Sequence, residues 1–437
     1  MKTLKTNIQK GLHGELSVPG DKSISHRSII LGAISAGETE ITHFLTSEDC
    51  LTTIQAFLDM GVNIERQHDH VLVHGARMNG LRQPKHPLNM GNSGTTTRLL
   101  LGLLSGQNFT AGLMGDRSLS KRPMRRVTEP LAQAGARFKV TGNGLLPITI
   151  YGSPDLSTFN YRLPVASAQV KSALILAALQ ADGVSTIVEK QQTRNHTELM
   201  LKAFGGEIEQ QGLTITVTGK PHLIGQNITI PGDMSSAAFF IAAATLLPNS
   251  AIRLKNVGLN PTRIGFLDVL KRMGADITIQ NNVNHAEASG ELLVRRSVLH
   301  AVHLSSRDIP SVIDELPLIA LLATQARGTT EITGAEELRV KETDRIAVVT
   351  AELQKLGADI TELPDGMVIN GPTPLEPRRT DVVDTHGDHR IGMMLSVAAL
   401  LTRSELKLAN ETAINISYPD FFIDLDRLIA AKRSVIL

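Results

Sequence analysis

One pattern recurs six times along the chain and constrains the fold more than any other feature. In each copy a polar loop rich in Gly, Pro, Ser, Asp or Thr leads into a short helix of Ala, Leu, Ile and Gly, and a β-like run follows. The copies begin at residues 20, 91, 165, 231, 309 and 386. Their spacing of roughly 65 to 80 residues is too long for the repeats of a solenoid. We therefore predict that each copy is a small layered unit of its own.

A second helix is indicated inside these units. It is amphipathic with a period of 3.6 residues and is usually ended by glycine before an alternating strand, as in the segments that begin at residues 51, 128, 197, 266 and 350. The first-helix copies are instead apolar almost all the way round, which predicts burial on most sides. Each unit has the pattern β-α-β-α-β-β, and we predict an α/β fold with the first helices in its interior.

An internal echo indicates where the chain divides. The segments ELSVPGDKS at 15–23 and NITIPGDMS at 227–235 share a strand pattern and a PGD-x-S turn. We predict two domains of three units each, one formed by residues 21–229 and a discontinuous one formed by residues 1–20 and 230–437. The N-terminal strand is then expected in the second domain, so the chain crosses between domains twice.

Composition narrows the class of protein. With 44 basic and 43 acidic residues the net charge is +1, which disfavours a nucleic-acid partner in the absence of a basic face. The single cysteine, Cys50, excludes an internal disulfide and a cysteine-rich zinc site, and it fits a reducing compartment. We find neither a signal peptide nor an apolar run near the roughly 18 residues of a membrane span. We expect a cytoplasmic protein.

Basic residues cluster where the helices of the units begin. In the first copy Lys22 and Arg27 flank a helix start that Asp21 or Ser23 can cap, and Ser23 and Arg27 share one helical face. Free backbone N–H groups and the helix dipole suit a phosphate or carboxylate there, although a capped surface helix is the alternative. The same placement recurs, and we expect one cationic cleft that includes Arg98, residues 121–126, Lys171, Arg194 and Arg390.

Carboxylates accompany two of these copies. In the run 338–346, Lys341 and Arg345 are predicted to share a helical face with Glu342 beside them, either at a site or on a salt-bridged exposed helix. Asp314, followed by Glu315, precedes an apolar helix, where it can act as a cap or as a general base towards a substrate hydroxyl. The histidines show no metal-ligand spacing, so we predict no metal site.

Seven motifs occur in one order over almost the whole chain. They are GDKSISHR at 20–27, GNSGTTTR at 91–98, Arg122–Pro123, SAQVK at 167–171, IDELP at 313–317, RVKETDRI at 339–346 and GDHR at 387–390. Together they resemble the 5-enolpyruvylshikimate-3-phosphate synthase family of the shikimate pathway of aromatic amino-acid biosynthesis. With SAQVK, the segments RNHTE at 194–198 and NPTR at 260–263 resemble its less glyphosate-sensitive branch.

The resemblance implies a fold and a reaction. The fold is an inside-out α/β fold with two domains that close on substrate, each of three βαβαββ units around buried parallel helices. The reaction transfers the enolpyruvyl group of phosphoenolpyruvate to the 5-hydroxyl of shikimate 3-phosphate through a tetrahedral ketal and releases phosphate. It needs no cofactor, and we expect a monomer whose partners are these anionic substrates, with no nucleic acid and no membrane.

The resemblance also implies roles for particular residues. Asp314 takes the proton of the attacking hydroxyl, and Glu342 with Lys22 protonates the methylene carbon. The residues implied for shikimate 3-phosphate are Lys22, Ser23, Arg27, Ser167, Gln169, Asp314 and Lys341. Those implied for phosphoenolpyruvate are Lys22, Gly94, Arg122, Gln169, Arg345 and Arg390.

Two alternatives and one departure accompany this interpretation. UDP-N-acetylglucosamine enolpyruvyl transferases share the fold, but they typically carry a reactive cysteine near the place of residues 115–122, where this chain has none. A non-catalytic anion-binding scaffold would be expected to lose Asp314 or Glu342. Some relatives place a lysine shortly before the pair that is Tyr418–Pro419 here, and residues 409–417 contain no lysine.

Overall fold

The computed structural model describes residues 1–282, 287–378 and 380–432. The chain divides into two compact units: a split unit, residues 1–19 and 231–437, and a continuous unit, residues 20–230. Each unit has its own apolar core, and the segments of each core come from that unit alone.

The helices of the described ranges alternate between the two kinds expected from the sequence. Short 3₁₀ turns occur at Leu119–Lys121, Glu336–Val340 and Glu411–Ile416. The α-helices are α1 Lys22–Ile34, α2 Glu48–Asp59, α3 Gly94–Ser105, α4 Arg125–Gln133, α5 Ala168–Ala178, α6 His196–Ala203, α7 Met234–Leu246, α8 Gly265–Arg272, α9 Ile309–Val312, α10 Leu316–Thr324, α11 Arg345–Lys355, α12 His389–Ala399 and α13 Phe421–Ala430.

The strands are short: one strand follows the first helix of a repeat, and a pair of strands follows the second helix in the first five repeats. In chain order they are β1 Lys2–Thr3, β2 His13–Ser17, β3 Glu38–Thr42, β4 Asn63–Gln67, β5 His70–His74, β6 Leu88–Asn89, β7 Thr110–Met114, β8 Arg137–Thr141, β9 Leu145–Tyr151, β10 Asn160–Arg162, β11 Val184–Val188, β12 Ile208–Gln211, β13 Thr214–Thr218, β14 Asn227–Thr229, β15 Ala251–Gly258, β16 Asp276–Asn282, β17 Ser289–Arg295, β18 His303–Leu304, β19 Gly328–Ile332, β20 Asp359–Leu363, β21 Gly366–Gly371, β22 Val382–Asp384 and β23 Lys407–Ala409.

These strands form six small sheets within the described ranges, one for each repeat. The sheet β6-β7-β9-β8 is representative: β6 runs parallel to β7, and β9 lies antiparallel between β7 and β8. The helices α3 and α4 make the two crossovers, so this unit is β-α-β-α-β-β along the chain. The predicted α/β fold of six such units is confirmed.

Two strands complete sheets far from their place in the sequence. Strand β2 pairs in parallel with β15, as in the register Leu16 to Leu254, so the N-terminal segment belongs to a sheet of the split unit. Strand β14 pairs in parallel with β3 and completes the first sheet of the continuous unit. The sixth sheet has the order β1-β23-β22, in which β1 is the antiparallel partner of β23.

The first helix of each repeat is buried as its composition predicts. Every residue of α7 and of α10 is buried. In the continuous unit α3 and α5 approach so closely that a Cβ at Gly102 would lie 2.0 Å from the carbonyl oxygen of Ala173, which requires glycine there. In the fifth copy the apolar helix α10 begins after Asp314 and Glu315, as expected, and the loop before it contains the one-turn helix α9, which was not predicted. No helix in the described part of the chain is long and apolar enough to cross a membrane.

Candidate active site

The start of α1 carries the first group of predicted site residues. Asp21 is the N-cap, and its Oδ1 accepts a hydrogen bond from the backbone N–H of Ile24 at 2.9 Å. Lys22 is half-buried and pairs through Nζ with Oδ2 of Asp49 on α2. Ser23 follows Lys22 on the first turn. The helix therefore places an ammonium group at the positive end of its dipole, as an anion site requires.

Arg27 lies one turn further along α1 and is buried. Its Nε donates to Oγ1 of Thr197 at 2.6 Å, and its Nη2 donates to Oγ of Ser172 at 2.7 Å. Its Nη1 donates to the carbonyl oxygen of Ser23 at 2.9 Å, so Ser23 and Arg27 share a face as predicted. Three contacts on three segments hold the guanidinium plane in one orientation.

His26 joins α1 to the glycine-rich loop at the start of α3. Its Nδ1 lies 2.6 Å from Oγ1 of Thr53, which is 2.7 Å from Oγ1 of Thr96. Thr96 in turn lies 2.6 Å from Oγ of Ser93, the N-cap of α3. Burial, with the nearby Lys22 charge, lowers the pKa of His26 to about 3, so the imidazole is neutral at neutral pH.

The loop before α3 brings two arginines next to Gly94. A Cβ at Gly94 would lie 2.8 Å from Nη1 of Arg98 and 3.3 Å from Nη1 of Arg122. Arg122 donates through Nη2 to Oδ1 of Asn92 at 3.2 Å. The absence of a side chain at Gly94 therefore lets two guanidinium groups lie close to its backbone, and such a pair suits an anion with several oxygens.

The start of α5 adds two more predicted residues. Ser167 is the N-cap, and its Oγ accepts from the backbone N–H of Val170 at 3.4 Å. Oε1 of Gln169 accepts from Nη1 of Arg98 at 2.6 Å, and Nε2 of Gln169 donates to Oγ1 of Thr95 at 3.0 Å. The residues predicted in the continuous unit thus form a connected polar surface at the starts of α1, α3 and α5.

In the split unit Asp314 is surrounded by arginines. Among the residues that the structure describes, three guanidinium groups have a nitrogen within 4 Å of its carboxylate. Nη2 of Arg390 lies 3.6 Å from Oδ2, Nη1 of Arg345 lies 3.7 Å from Oδ1, and Nη1 of Arg263 lies 3.9 Å from Oδ2. Two of these arginines and Asp314 were predicted as site residues, and the structure brings all three together.

Arg345 is the most strongly paired of the three arginines. Its Nε donates to Oδ2 of Asp388 at 2.7 Å, and its Nη2 donates to Oε2 of Glu342 at 2.7 Å. Burial opposes the charge on both members of the buried pair, but the opposite charges outweigh it: the pKa of Arg345 is raised and the pKa of Asp388 is lowered. The pair fixes Arg345, and Arg345 fixes the half-buried carboxylate of Glu342.

A second carboxylate lies behind Asp314. Glu315 is buried, accepts a hydrogen bond from the hydroxyl of Ser235 through Oε1, and lies 3.6 Å from Nη1 of Arg390. Burial raises the pKa of Glu315 despite the neighbouring arginines. Ser235 also accepts from Nη2 of Arg263 at 2.6 Å. Glu315 therefore supports the arginines from the side of the core.

Two expectations about lysines are wrong. Lys341 and Arg345 do not share a helix, because Asp344 caps the backbone N–H of Ala347 and α11 begins at Arg345. Lys341 is instead extended after a 3₁₀ turn and half-buried. Lys171 does not add to a cationic surface, because its side chain is fully buried.

Some contributors to these clusters were not singled out as site residues from the sequence. Arg263 and Asp388 lie inside quoted motifs, NPTR and GDHR, and Thr197 lies inside RNHTE. The motifs therefore contained these three residues, but the side chains that each of them contacts could be assigned only from the fold. Within the described ranges, no group of three His, Cys, Asp or Glu residues is placed to hold a metal ion. Each unit therefore carries a cluster of basic side chains, and the cluster of the split unit includes two carboxylates, Asp314 and Glu342.

Comparison with known proteins agrees with this chemistry. Residues 6–425 match the family model for EPSP synthase (3-phosphoshikimate 1-carboxyvinyltransferase). The 3-phosphoshikimate 1-carboxyvinyltransferases of Oenococcus oeni and Lactiplantibacillus plantarum are 59% and 55% identical, over 98% of this chain and 98% and 99% of theirs. The solved EPSP synthase of Acinetobacter baumannii is 42% identical, with a TM-score of 0.87 over 98% of this chain and 97% of that one.

Proposed function

The chain belongs to the EPSP synthase family, and from that membership we propose how its residues carry out the reaction. The activity is transfer of the enolpyruvyl group of phosphoenolpyruvate to the 5-hydroxyl of shikimate 3-phosphate, with release of inorganic phosphate. Both substrates are polyanions, so the first demand on the protein is cationic binding surface. Arginine meets that demand best because it offers two parallel N–H groups to a phosphate or carboxylate.

We assign shikimate 3-phosphate to Lys22, Ser23 and Arg27, helped by Ser167, Gln169, Asp314 and Lys341. The support in the continuous unit is the start of α1, where the ammonium of Lys22, the positive end of the helix dipole and the fixed Arg27 lie within two turns. Oxygens of the 3-phosphate accept hydrogen bonds from such donors. Ser167, as the N-cap of α5, places another helix start beside Gln169.

We assign phosphoenolpyruvate to Lys22, Gly94, Arg122, Gln169, Arg345 and Arg390. The support in the continuous unit is the pair of guanidinium groups, of Arg98 and Arg122, that lie close to Gly94. The support in the split unit is the fixed Arg345 together with Arg390. A phosphate and a carboxylate on one small molecule need several guanidinium groups to offset their charges.

The chemistry then needs one base and one acid. Asp314 accepts the proton of the 5-hydroxyl as its oxygen forms a bond to C2 of phosphoenolpyruvate, and Glu342, with Lys22, donates a proton to the methylene carbon C3. The C2–C3 double bond becomes single and a tetrahedral ketal results. Loss of phosphate from C2 and of one proton from C3 restores the double bond and leaves the enolpyruvyl ether. General acid–base steps of this kind contribute about 10²–10⁴-fold each.

The observation that carries the assignment is the group of three arginines around Asp314. These cations hold a carboxylate at a fixed place while offering N–H groups to an incoming anion. Glu342 is held by one of the same arginines, Arg345, so the proposed base and the proposed acid share a partner. Orientation of bound reactants is worth roughly 7–11 kcal/mol of a barrier, so fixed groups of this kind matter as much as their charges.

Membership of the less glyphosate-sensitive branch is a further proposal. Its support is the set of segments SAQVK, RNHTE and NPTR, each of which contributes a buried polar contact. Lys171 pairs with Glu198, Thr197 accepts from Arg27, and Arg263 donates to Ser235. Gly94 is retained, so the loop before α3 does not by itself decide the response to glyphosate. Inhibition of the purified enzyme by glyphosate, with phosphoenolpyruvate varied, tests it: inhibition that competes weakly with phosphoenolpyruvate is expected, and tight competition would contradict it.

We also propose a cytoplasmic monomer whose two domains are residues 21–229 and residues 1–20 with 230–437. The support is the free, buried thiol of Cys50 and a separate apolar core in each unit. Sedimentation velocity is expected to give the mass of one chain, 47.2 kDa, at micromolar concentration. A species of twice that mass would contradict the monomer.

The activity itself is tested by phosphate release. Purified protein is mixed with phosphoenolpyruvate and either shikimate 3-phosphate, UDP-N-acetylglucosamine or no acceptor. Release is expected only with shikimate 3-phosphate. Equal release with UDP-N-acetylglucosamine would favour the other enolpyruvyl transferase, and no release with either acceptor would favour a non-catalytic scaffold.

A further inference from the structure

Three charged side chains lie in the interior of the continuous unit, away from the proposed substrate contacts. Nζ of Lys171 on α5 lies 2.7 Å from Oε1 of Glu198 on α6 and 3.2 Å from Oε2 of Glu189, which follows β11. Lys171 and Glu189 are fully buried and Glu198 is almost so. Burial of charges is costly, and an apolar replacement of equal volume is often as stable. A contribution to stability alone therefore does not explain why Lys171, Glu189 and Glu198 are buried at this place.

The neighbours of this ion pair on both helices bind Arg27. Ser172 follows Lys171 on α5, and Thr197 precedes Glu198 on α6. Their hydroxyl oxygens lie 2.7 Å apart, and both accept hydrogen bonds from Arg27. Two consecutive residues of α5 thus contact two consecutive residues of α6. Lys171 forms an ion pair with Glu198, and the hydroxyl groups of Ser172 and Thr197 together accept the hydrogen bonds of the Arg27 guanidinium.

Glu189 extends the same arrangement to the loop before α6. Its Oε1 accepts hydrogen bonds from both the backbone N–H of Thr193, at 3.1 Å, and the hydroxyl of that residue. The loop that leads into α6 is therefore fixed to the end of β11, and Lys171 lies between this loop and the first turn of α6. A shift of α6 along α5 would separate Thr197 from Arg27.

We propose that the Lys171–Glu198 ion pair, with Ser172 and Thr197, positions Arg27 for the phosphate of the acceptor substrate. The inference rests on the proposed function, in which Arg27 binds shikimate 3-phosphate. The ion pair sets the register of α6 on α5, which is the best-attested use of buried polar groups. The two hydroxyl oxygens then fix the guanidinium plane, so that its orientation does not have to be selected when substrate binds. These are positioning residues, because none of them is required to touch substrate.

Two substitutions at one position separate positioning from packing. Thr197→Val keeps the shape of the side chain and removes the oxygen that Arg27 uses, whereas Thr197→Ser keeps the oxygen and removes the methyl group. Thr197→Val is expected to raise the KM for shikimate 3-phosphate about tenfold, equivalent to about 1.4 kcal/mol. The KM for phosphoenolpyruvate is expected to stay unchanged, and Thr197→Ser is expected to restore the wild-type KM. A packing role would make Thr197→Ser the worse variant.

The matched control is Thr245→Val on α7. Thr245 is buried, and its hydroxyl has no hydrogen-bond partner in the structure, so the same loss of an oxygen should leave both KM values unchanged. The ion pair is tested by the charge-free variant Lys171→Met with Glu189→Gln and Glu198→Gln, here called the charge-balanced variant because no buried carboxylate is left without its lysine, and it is expected to raise the same KM alone. If this variant does not fold, the Val and Ser variants of Thr197 still decide the proposal.

The variant Arg27→Ala distinguishes a failure of the positioning inference from a failure of the proposed role of Arg27 in binding shikimate 3-phosphate. An increased KM for shikimate 3-phosphate in Arg27→Ala, with wild-type values in Thr197→Val and in the charge-balanced variant, would overturn the positioning inference and leave the proposed function intact. An unchanged KM in Arg27→Ala would overturn the binding role of Arg27, and the inference would fall with it.

Discussion

Arg345 donates its Nε proton to Oδ2 of Asp388 at 2.7 Å, and both residues are buried at the starts of different helices, α11 and α12. Asp388 is also the N-cap of α12, where its side chain accepts from the backbone N–H of Arg390 at 2.9 Å. One carboxylate therefore holds two of the arginines proposed to bind phosphoenolpyruvate. The loss of this contact should therefore lower both the stability of the protein and its proposed binding of phosphoenolpyruvate.

Asp388→Asn is expected to lower the free energy of unfolding by about 3 kcal/mol at pH 7, the low end for a broken buried ion pair, because Glu342 still pairs with Arg345. The pKa of Asp388 is lowered in the folded protein, so its stabilising contribution is complete above its ordinary value near 4 and is lost as the pH falls through the folded pKa. Urea unfolding at pH 7 and at pH 3 measures both effects. An equal difference between variant and wild type at the two pH values would contradict the account.

Gly94→Ala is expected to raise the KM for phosphoenolpyruvate and to leave the KM for shikimate 3-phosphate unchanged. The added methyl group would lie 2.8 Å from Nη1 of Arg98, so one or both neighbouring guanidinium groups must move. Steady-state kinetics with each substrate varied in turn measures the two constants. Gly112→Ala is a suitable control, because its Cβ would meet Pro87 at 3.3 Å and no arginine. Equal increases in both constants for Gly94→Ala would mean that the loop binds both substrates.

The buried His26 makes the stability of the protein depend on pH. Its pKa is lowered to about 3 by burial, whereas an unfolded chain binds this proton near pH 6.5. Between these values only the unfolded state carries the proton, so the free energy of unfolding falls as the pH decreases from 6.5, by at most about 1.4 kcal/mol per pH unit.

His26→Gln should therefore flatten the dependence of unfolding free energy on pH between pH 6.5 and 4, measured by urea unfolding at several pH values. His222→Gln, which removes an exposed imidazole, serves as the control and should keep the slope of the wild type. A wild-type slope in His26→Gln would show that this imidazole is charged in the folded protein.

The repeats made much of the fold predictable. Apolar runs such as the one in α7 predicted burial on all sides, and the alternating runs predicted the paired strands, because each pattern reflects a local period. The pairing of β2 with β15 was indicated only by the echo between two turns. The start of α10 was predicted, because Asp314 and Glu315 precede an apolar run with Pro317 in its first turn, but the single turn α9 in the loop before it was not.

The sequence predicted candidate site residues but not the contacts between them. Arg263 and Asp314 are far apart in the chain, and only the packing of the split unit places Nη1 of one 3.9 Å from Oδ2 of the other. The helical pairing of Lys341 with Arg345 failed because the capping side chain of Asp344 starts the helix later than the charge pattern indicates. Lys171 was misjudged because a sequence does not show that a lysine has two buried carboxylates as partners.

The central claim is that Asp314 and Glu342 carry the protons of the reaction, and single-turnover kinetics of Asp314→Asn and Glu342→Gln test it most directly. Each substitution keeps the shape of the side chain and removes its capacity to exchange a proton. The rate of product formation with both substrates bound is expected to fall by about 10²-fold or more, with substrate binding largely kept. Asp276→Asn, an exposed carboxylate of the same unit, is expected to react at the wild-type rate. Wild-type rates in both Asp314→Asn and Glu342→Gln would contradict the account.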